Sequence, residues 1–245
     1  MIELTTSSLR QQQHPLIHRL ANCIEDVWHR YLEIEPYQLP EDLGYIKGRL
    51  EEEKLTIENK CYQSPQFRKM HLELAKVGKS LDILHCVMFP RSNYALPMFG
   101  TDIVGGRGQI SAAVVDVSPL SLDKTLPPAY QTELQSLPSY NFSQPREIPA
   151  WGDIFSQFCL FIRPGNSEEE DQFLKTVEAY LTIHCEYANR QNPVSGEAQL
   201  QIKAAQRYYC TQQQRNDKTR RVLEKAFGEE WADSYINNML FDYVD

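Results

Sequence analysis

The 245-residue chain predicts an α+β fold, a three-layer α/β/α sandwich whose central antiparallel sheet is covered by helices on both faces, in one domain spanning residues 1–245. Three observations predict it. Apolar residues recur at helical spacing near the amino terminus, short period-two runs separated by turns fill residues 45–116, and helical spacing returns after Pro164. Parallel neighbours need crossovers of about a dozen residues, and the turns between these runs are too short, so the strands pair antiparallel.

The first helix covers residues 9–33, with Leu16, Ile17, Leu20, Ala21, Ile24, Val27, Trp28 and Tyr31 at its apolar spacing. Strand-like runs then alternate with turns at Glu51-Glu52-Glu53, Gly78-Lys79-Ser80 and Gly105-Gly106-Arg107-Gly108. Residues 117–150 hold six of the 14 prolines and one short helix near Ala129–Leu137. They read as a covering loop, because the strand-like run Phe155–Ile162 follows. Ser167-Glu168-Glu169-Glu170 has the spacing of a capping box, with Glu170 reaching back, and opens a helix to about Asn189. Further helices follow near 196–213, 217–227 and 229–239.

A net charge of −8 argues against nucleic acid, which is gripped by basic faces. The first residues, MIELTTSSLRQQQHP, contain no apolar signal core, and no apolar run approaches the roughly 20 residues that span a bilayer. A cytoplasmic protein without a membrane partner is expected. Cys23, Cys61, Cys86, Cys159, Cys185 and Cys210 are scattered with no Cys-x-x-Cys spacing, which predicts reduced cysteines packed as small hydrophobes and no metal site. Gly105-Gly106-Arg107-Gly108 follows one strand and enters another, so it is a turn and not a dinucleotide loop.

The most informative residues are titratable groups where strand cores should be apolar. Side chains alternate along a strand, so His71 and Glu73 share one face while Met70, Leu72 and Leu74 share the other. His85 lies on the face of Leu81, Ile83, Val87 and Phe89, and Asp102 on that of Met98, Gly100 and Val104. Each has a plain reading. Glu73 is either a solvent-facing residue of an edge strand or an acid whose proton affinity is raised by burial. His85 is either a core histidine bonded to a carbonyl or a proton carrier, and Asp102 either steadies the glycine turn or pairs with His85. For His71 the choice lies between a surface histidine and a relay. Leaving a buried polar group unpaired costs roughly 2–7 kcal/mol, so four on consecutive strands predict a dry pocket that handles protons. An Asp102–His85 pair would titrate as one unit.

Pro65-Gln66-Phe67-Arg68-Lys69-Met70-His71-Leu72-Glu73-Leu74-Ala75-Lys76, with Leu84-His85-Cys86-Val87-Met88-Phe89-Pro90, resembles the ferredoxin-dependent bilin reductases. The likeness runs from Pro36-Tyr37-Gln38-Leu39-Pro40-Glu41-Asp42-Leu43-Gly44 to Asn216-Asp217-Lys218-Thr219-Arg220-Arg221 and Phe241-Asp242. It implies the same sandwich fold and a four-electron, four-proton reduction of biliverdin IXα to phycocyanobilin, the D-ring exovinyl group first and the A ring second. Electrons would come singly from a reduced 2Fe-2S ferredoxin, with no bound flavin or metal, and the substrate would hold each unpaired electron. The protein then contributes shape, exclusion of water and protons.

On this resemblance Glu73 serves the D-ring vinyl group, Asp102 is the central proton donor, His85 partners Asp102, and His71 acts through a water or a relay to Glu73. Of the basic candidates Arg146, Arg163, Arg215, Lys218, Arg220 and Arg221, the family pattern points to Arg146 and Lys218 for the two propionates, with Ser111 and Asn216 as further polar contacts. The remaining basic residues, with Arg68 and Lys69, are the candidates for facing ferredoxin. Ile83, Val222, Leu240 and Phe241 are candidate pocket walls, and Trp151 either lines the pocket or plugs the loop at its base. A monomer is expected. The alternatives are a two-electron reductase of the same family and a bilin carrier without redox chemistry.

Overall fold

The computed structural model describes residues 8–40, 42–121 and 123–243; residues 1–7 of the segment read above for a signal core lie outside the described residues. A 3-10 turn, Leu9–Gln12, precedes helix α1 (Pro15–Tyr31). The expected single helix over 9–33 is thus divided. Pro15 has no N–H to continue a preceding helix but suits the first helical position, and His14 Nδ1 caps the Leu16 amide at 3.2 Å.

Seven strands follow: β1 (Glu35–Pro36), β2 (Tyr45–Leu50), β3 (Glu53–Gln63), β4 (Phe67–Val77), β5 (Leu81–Pro90), β6 (Met98–Gly106) and β7 (Gln109–Ser118). Arg107 (φ 53°) and Gly108 (φ 75°) make the two-residue turn between β6 and β7, where positive φ at both positions matches the strand twist. After α2 (Pro128–Gln135), only Leu160–Ile162 of the expected run Phe155–Ile162 forms a strand, β8. Residues 155–159 are held in turns because the Ser156 amide and hydroxyl bond the buried Asp116 carboxylate instead of a neighbouring strand.

Among the described residues these eight strands form one antiparallel sheet in the order β1-β3-β4-β5-β6-β7-β8, with β2 also paired to β3. Helices α3 (Ser167–Asn189), α4 (Glu197–Gln213), α5 (Asp217–Phe227) and α6 (Glu229–Tyr235) follow, and α6 runs into a π-helical turn, Ile236–Leu240. Alternation divides the core into two. Leu72, Leu74, Leu84, Cys86, Phe99 and Val115 face α1 and α3. Ile57, Ala75, Val87, Phe89 and Met98 face Tyr209 of α4, Leu223 of α5, Tyr235 of α6 and the π turn. Both sheet faces therefore carry helices, as the sequence predicts. Burying each such side chain contributes about 1.5–3 kcal/mol. Among the described residues no helix is long and apolar enough to cross a membrane.

The α3 cap sits one residue earlier than the spacing suggests. Asn166 is the cap, its Oδ1 accepting from the Glu169 amide at 2.9 Å, and Glu169 reaches back to the Gly165 and Ser143 amides at 2.8 and 2.9 Å. Asn166→Ala should cost about 1 kcal/mol and Ser167→Ala close to nothing, read from urea unfolding midpoints. The reverse order would move the cap back to Ser167.

Candidate active site

Register makes the site. Asn59 pairs with Glu73, Glu73 with His85, His85 with Asp102, Asp102 with Val114, and Val114 with Phe161. One cross-strand row thus runs from β3 to β8 on the face packed by α4–α6. Directly opposed residues in antiparallel strands have Cβ atoms about 4.5–5.5 Å apart, so Glu73, His85 and Asp102 are immediate neighbours. His71 stands two residues from Glu73 on the same face, its ring 5.9 Å from that of His85. Glu73 is on a central strand, not an edge, and His71 is fully buried. His85 bonds no carbonyl; its Nδ1 meets Asp102 Oδ1 at 2.5 Å, which also takes Asp102 away from the glycine turn.

Two polar residues that sequence reading passed over complete the row. Tyr235 donates its hydroxyl proton to Glu73 Oε2 at 2.6 Å or to Asn59 Oδ1 at 3.0 Å. Asn59 donates through Nδ2 to the Leu43 carbonyl at 2.7 Å, which fixes Oδ1 as the acceptor for His71 Nε2 at 2.8 Å. His71 therefore carries its proton on Nε2 and leaves Nδ1 as a bare acceptor. Both His71 Nδ1 and His85 Nε2 are buried without a hydrogen-bond partner among the described residues. The period-two pattern carried a signal for Asn59, since Leu55, Ile57 and Cys61 flank it on one buried face. Tyr235 carried none beyond being aromatic on a helix.

Burial separates the proton affinities of these groups. Glu73 is raised above the usual carboxylate range by desolvation, against the smaller pulls of His85 and the Tyr235 hydroxyl. His71 is lowered well below 6.5 by burial, then by the charges of Lys69 and His85. For His85 burial also opposes the charge, but the Asp102 carboxylate and its hydrogen bond, with Glu73 adding, outweigh it and the shift is upward. The expected dry pocket needs one correction. His85 is 11% exposed but the Asp102 side chain is 40% exposed, because the alternating positions Gly100, Asp102 and Val104 are only half-buried. The face is closed over β3–β5 by α6 and the π turn and half-open at the middle of β6 and β7, at Gly100, Asp102, Val104, Ala112 and Val114.

The other anticipated residues fall around this row. Arg146 stacks on Phe161 at 5.3 Å, the row's last member, and donates to the Ser111 carbonyl at 2.5 Å. Ser111 is the extra residue of a β-bulge in β7, its hydroxyl bonding the Val104 carbonyl at 3.0 Å. Asn216 caps α5 by accepting from the Lys218 amide at 3.2 Å, and the Lys218 side chain is exposed. Helix α5 packs on β2 at its C-terminal end, where Phe227 lies against Gly48. Phe241 lies edge-on to His85 at 5.5 Å. Leu240 and Ile83 belong to the same core, Val222 is half-buried on α5, and Trp151 packs on Phe155 at 5.7 Å against that core. Arg163 and Arg215 are exposed, while Arg220 pairs with Asp233 and Arg221 with Asp217. Lys69 and Arg68 are not surface cations. Lys69 is 1% exposed, and both are spent on Asp242.

A carboxyl with raised proton affinity keeps its proton when folded at a pH where the unfolded chain has lost it. Its contribution to stability is complete below the unfolded value near 4.5 and declines as pH rises toward the folded one. Glu73→Gln should therefore gain stability relative to the parent between about pH 5 and about pH 8, measured by urea unfolding at both. An equal difference at the two would mean Glu73 titrates normally.

Known proteins carry the same framework. The family model for ferredoxin-dependent bilin reductase matches residues 21–242. A phycocyanobilin:ferredoxin oxidoreductase of Trichodesmium erythraeum is 63% identical over 242 residues, 99% of either chain. One from Synechococcus elongatus is 57% identical over 244 residues, 99% of this chain and 98% of that one. In fold, the chain is similar to the crystal structure of phytochromobilin synthase from tomato in complex with biliverdin, at 16% identity and TM-score 0.74, over 91% of this chain and 81% of that one. A match over nearly the whole sequence, on a chain whose titratable row lies under its carboxy-terminal helices, shows that it belongs to the ferredoxin-dependent bilin reductases, oxidoreductases that take their electrons from ferredoxin.

Proposed function

We propose that this chain, as one reductase domain and a cytoplasmic monomer, reduces biliverdin IXα to phycocyanobilin, the D-ring exovinyl group first and the A ring second. The observation that carries the reading is the direct register of Glu73, His85 and Asp102, with two imidazole nitrogens beside them left unpartnered. The two relatives named phycocyanobilin:ferredoxin oxidoreductase support phycocyanobilin as the pigment and ferredoxin as the redox partner. Each stage takes two electrons, one at a time from a 2Fe-2S ferredoxin, and two protons, four of each overall. The pigment holds each unpaired electron, and the protein needs no flavin or metal of its own.

The chain's own residues then hold and move protons. Glu73, kept protonated by burial, gives its proton to the D-ring vinyl group. Asp102 stands at the open part of the face, where a pigment lying on the sheet would meet it, and His85 shares its proton. His71 acts on Glu73 through a water or a relay; Asn59 Oδ1, accepting from both His71 Nε2 and the Tyr235 hydroxyl, holds the two residues in one hydrogen-bonded group with Glu73. Arg146 and Lys218 hold the two propionates, with Ser111 and Asn216 as further polar contacts. Ile83, Val222, Leu240 and Phe241 wall the pocket, and Trp151 closes its base.

An anaerobic assay with biliverdin and reduced ferredoxin tests this. A carrier would shift the pigment's absorbance and stop there, whereas the reductase consumes the band through radical intermediates. Glu73→Gln should yield a product reduced only at the A ring, identified by chromatography; phycocyanobilin at the normal rate removes Glu73 from the mechanism. Asp102→Asn should bind biliverdin within about threefold of the parent and lose about 100-fold or more in turnover. Full turnover there would sink its role.

A further inference from the structure

We propose that Asp242 is a positioning residue for bilin reduction: bridging Arg68 and the buried Lys69, it seats Phe241 against His85 and balances a cation that shares the face of the proton-handling row. The inference rests on the reading of that row as the reaction site. Lys69, His71 and Glu73 alternate along β4, so the Lys69 ammonium belongs to the same face. It donates to the Met239 carbonyl at 2.8 Å, the last turn before the terminal segment, and to the Asp242 carboxylate. Arg68 donates to Asp242 Oδ2 and to the Asp242 carbonyl, both at 2.6 Å. Cys210 Sγ meets that same carbonyl at 3.4 Å, and Gln214 Nε2 donates to the Phe241 carbonyl at 3.0 Å. Both cations lie over the Phe89 ring at 4.6 Å.

Two functions follow from one carboxylate. As a tether, it ends the π turn so that Phe241 stays edge-on to His85. As a charge, it offsets an ammonium that burial itself disfavours and that pulls down the proton affinity of both His71 and His85. Among the described residues, the titratable and charged groups on the face of His85 are Asp102 on β6, Asp116 on β7, Arg68, Lys69, His71 and Glu73 on β4, Cys61 on β3, Tyr235 on α6, Tyr209 and Cys210 on α4, and Asp242 itself. Of these, Lys69 is the cation that Asp242 holds in balance.

The test separates tether from charge and needs no turnover for its first readout. The imidazole signals of His85 are titrated by NMR in the ligand-free protein, in the parent, Asp242→Asn, Asp242→Glu and the double variant Lys69→Met with Asp242→Asn. The midpoint should fall by on the order of half a pH unit or more in Asp242→Asn, and stay at the parent value in Asp242→Glu and in the double variant, where Arg68 alone leaves the cluster with the parent's net charge. The double variant also covers the case in which Asp242→Asn fails to fold, since the fully buried ammonium is gone and the remaining cation, Arg68, is only half-buried. The KM for biliverdin should rise about threefold or more in both Asp242→Asn and the double variant, because both lose the tether. An unmoved midpoint in Asp242→Asn, a shift that persists in the double variant, or an unchanged KM in both would overturn the proposal. A parent protein that does not reduce biliverdin would instead refute the reaction while leaving the His85 titration to be read.

Discussion

Strand register is the constraint on which everything else rests. Side chains alternate with a period of two, so a slip of one residue in the β4–β5 or β5–β6 pairing would turn Glu73, His85 or Asp102 to the α1–α3 side. The packing that prevents the slip is apolar. Leu72, Leu74, Leu84, Cys86 and Phe99 are almost fully buried on one face, and exposing them would cost far more than the polar row could return. The hydrophobic core of one face thus holds the chemistry of the other in register.

Within the row, environment differentiates groups of similar chemistry. Glu73 and Asp102 are both carboxylic acids, two strands apart. One lies under Tyr235 and is pushed toward its neutral form; the other is half open to solvent and bonded to an imidazole. The histidines divide in the same way, His71 toward neutrality and His85 toward the charged state. Such divergence between neighbouring groups is how a site separates donors from acceptors near neutral pH. It also explains why the row needs Asn59 and Tyr235, which satisfy buried atoms that no apolar residue could.

Much of this was legible in the sequence. The alternation of His71 with Met70 and Leu72 gave the face, and the short turns gave antiparallel neighbours, so opposition of Glu73, His85 and Asp102 was within reach of pattern alone. The helices after Pro164 also came through at nearly their observed bounds. What stayed hidden depended on partners distant in the chain. Tyr235 lies 162 residues from Glu73, and no local period links them. Asp242 lies 173 residues from Lys69, so a lysine beside an arginine read as a surface pair when both are folded inward. The loop Phe155–Cys159 misled because its apolar residues resemble a strand, while Asp116 claims its backbone. Pro15 marks in the sequence the point where the first helix divides, since it has no N–H to continue the turn before it.

The orientation of one amide has a wider meaning. Since the Leu43 carbonyl can only accept, Asn59 cannot turn over, and His71 rests as an empty imidazole beside a His85 that tends to be filled. The resting protein is thus charged asymmetrically, like a queue with its vacancy at the inner end. Solvent meets this row at Asp102, the half-exposed member, and is kept from His71, the fully buried one, so the two ends of one row sit in different media.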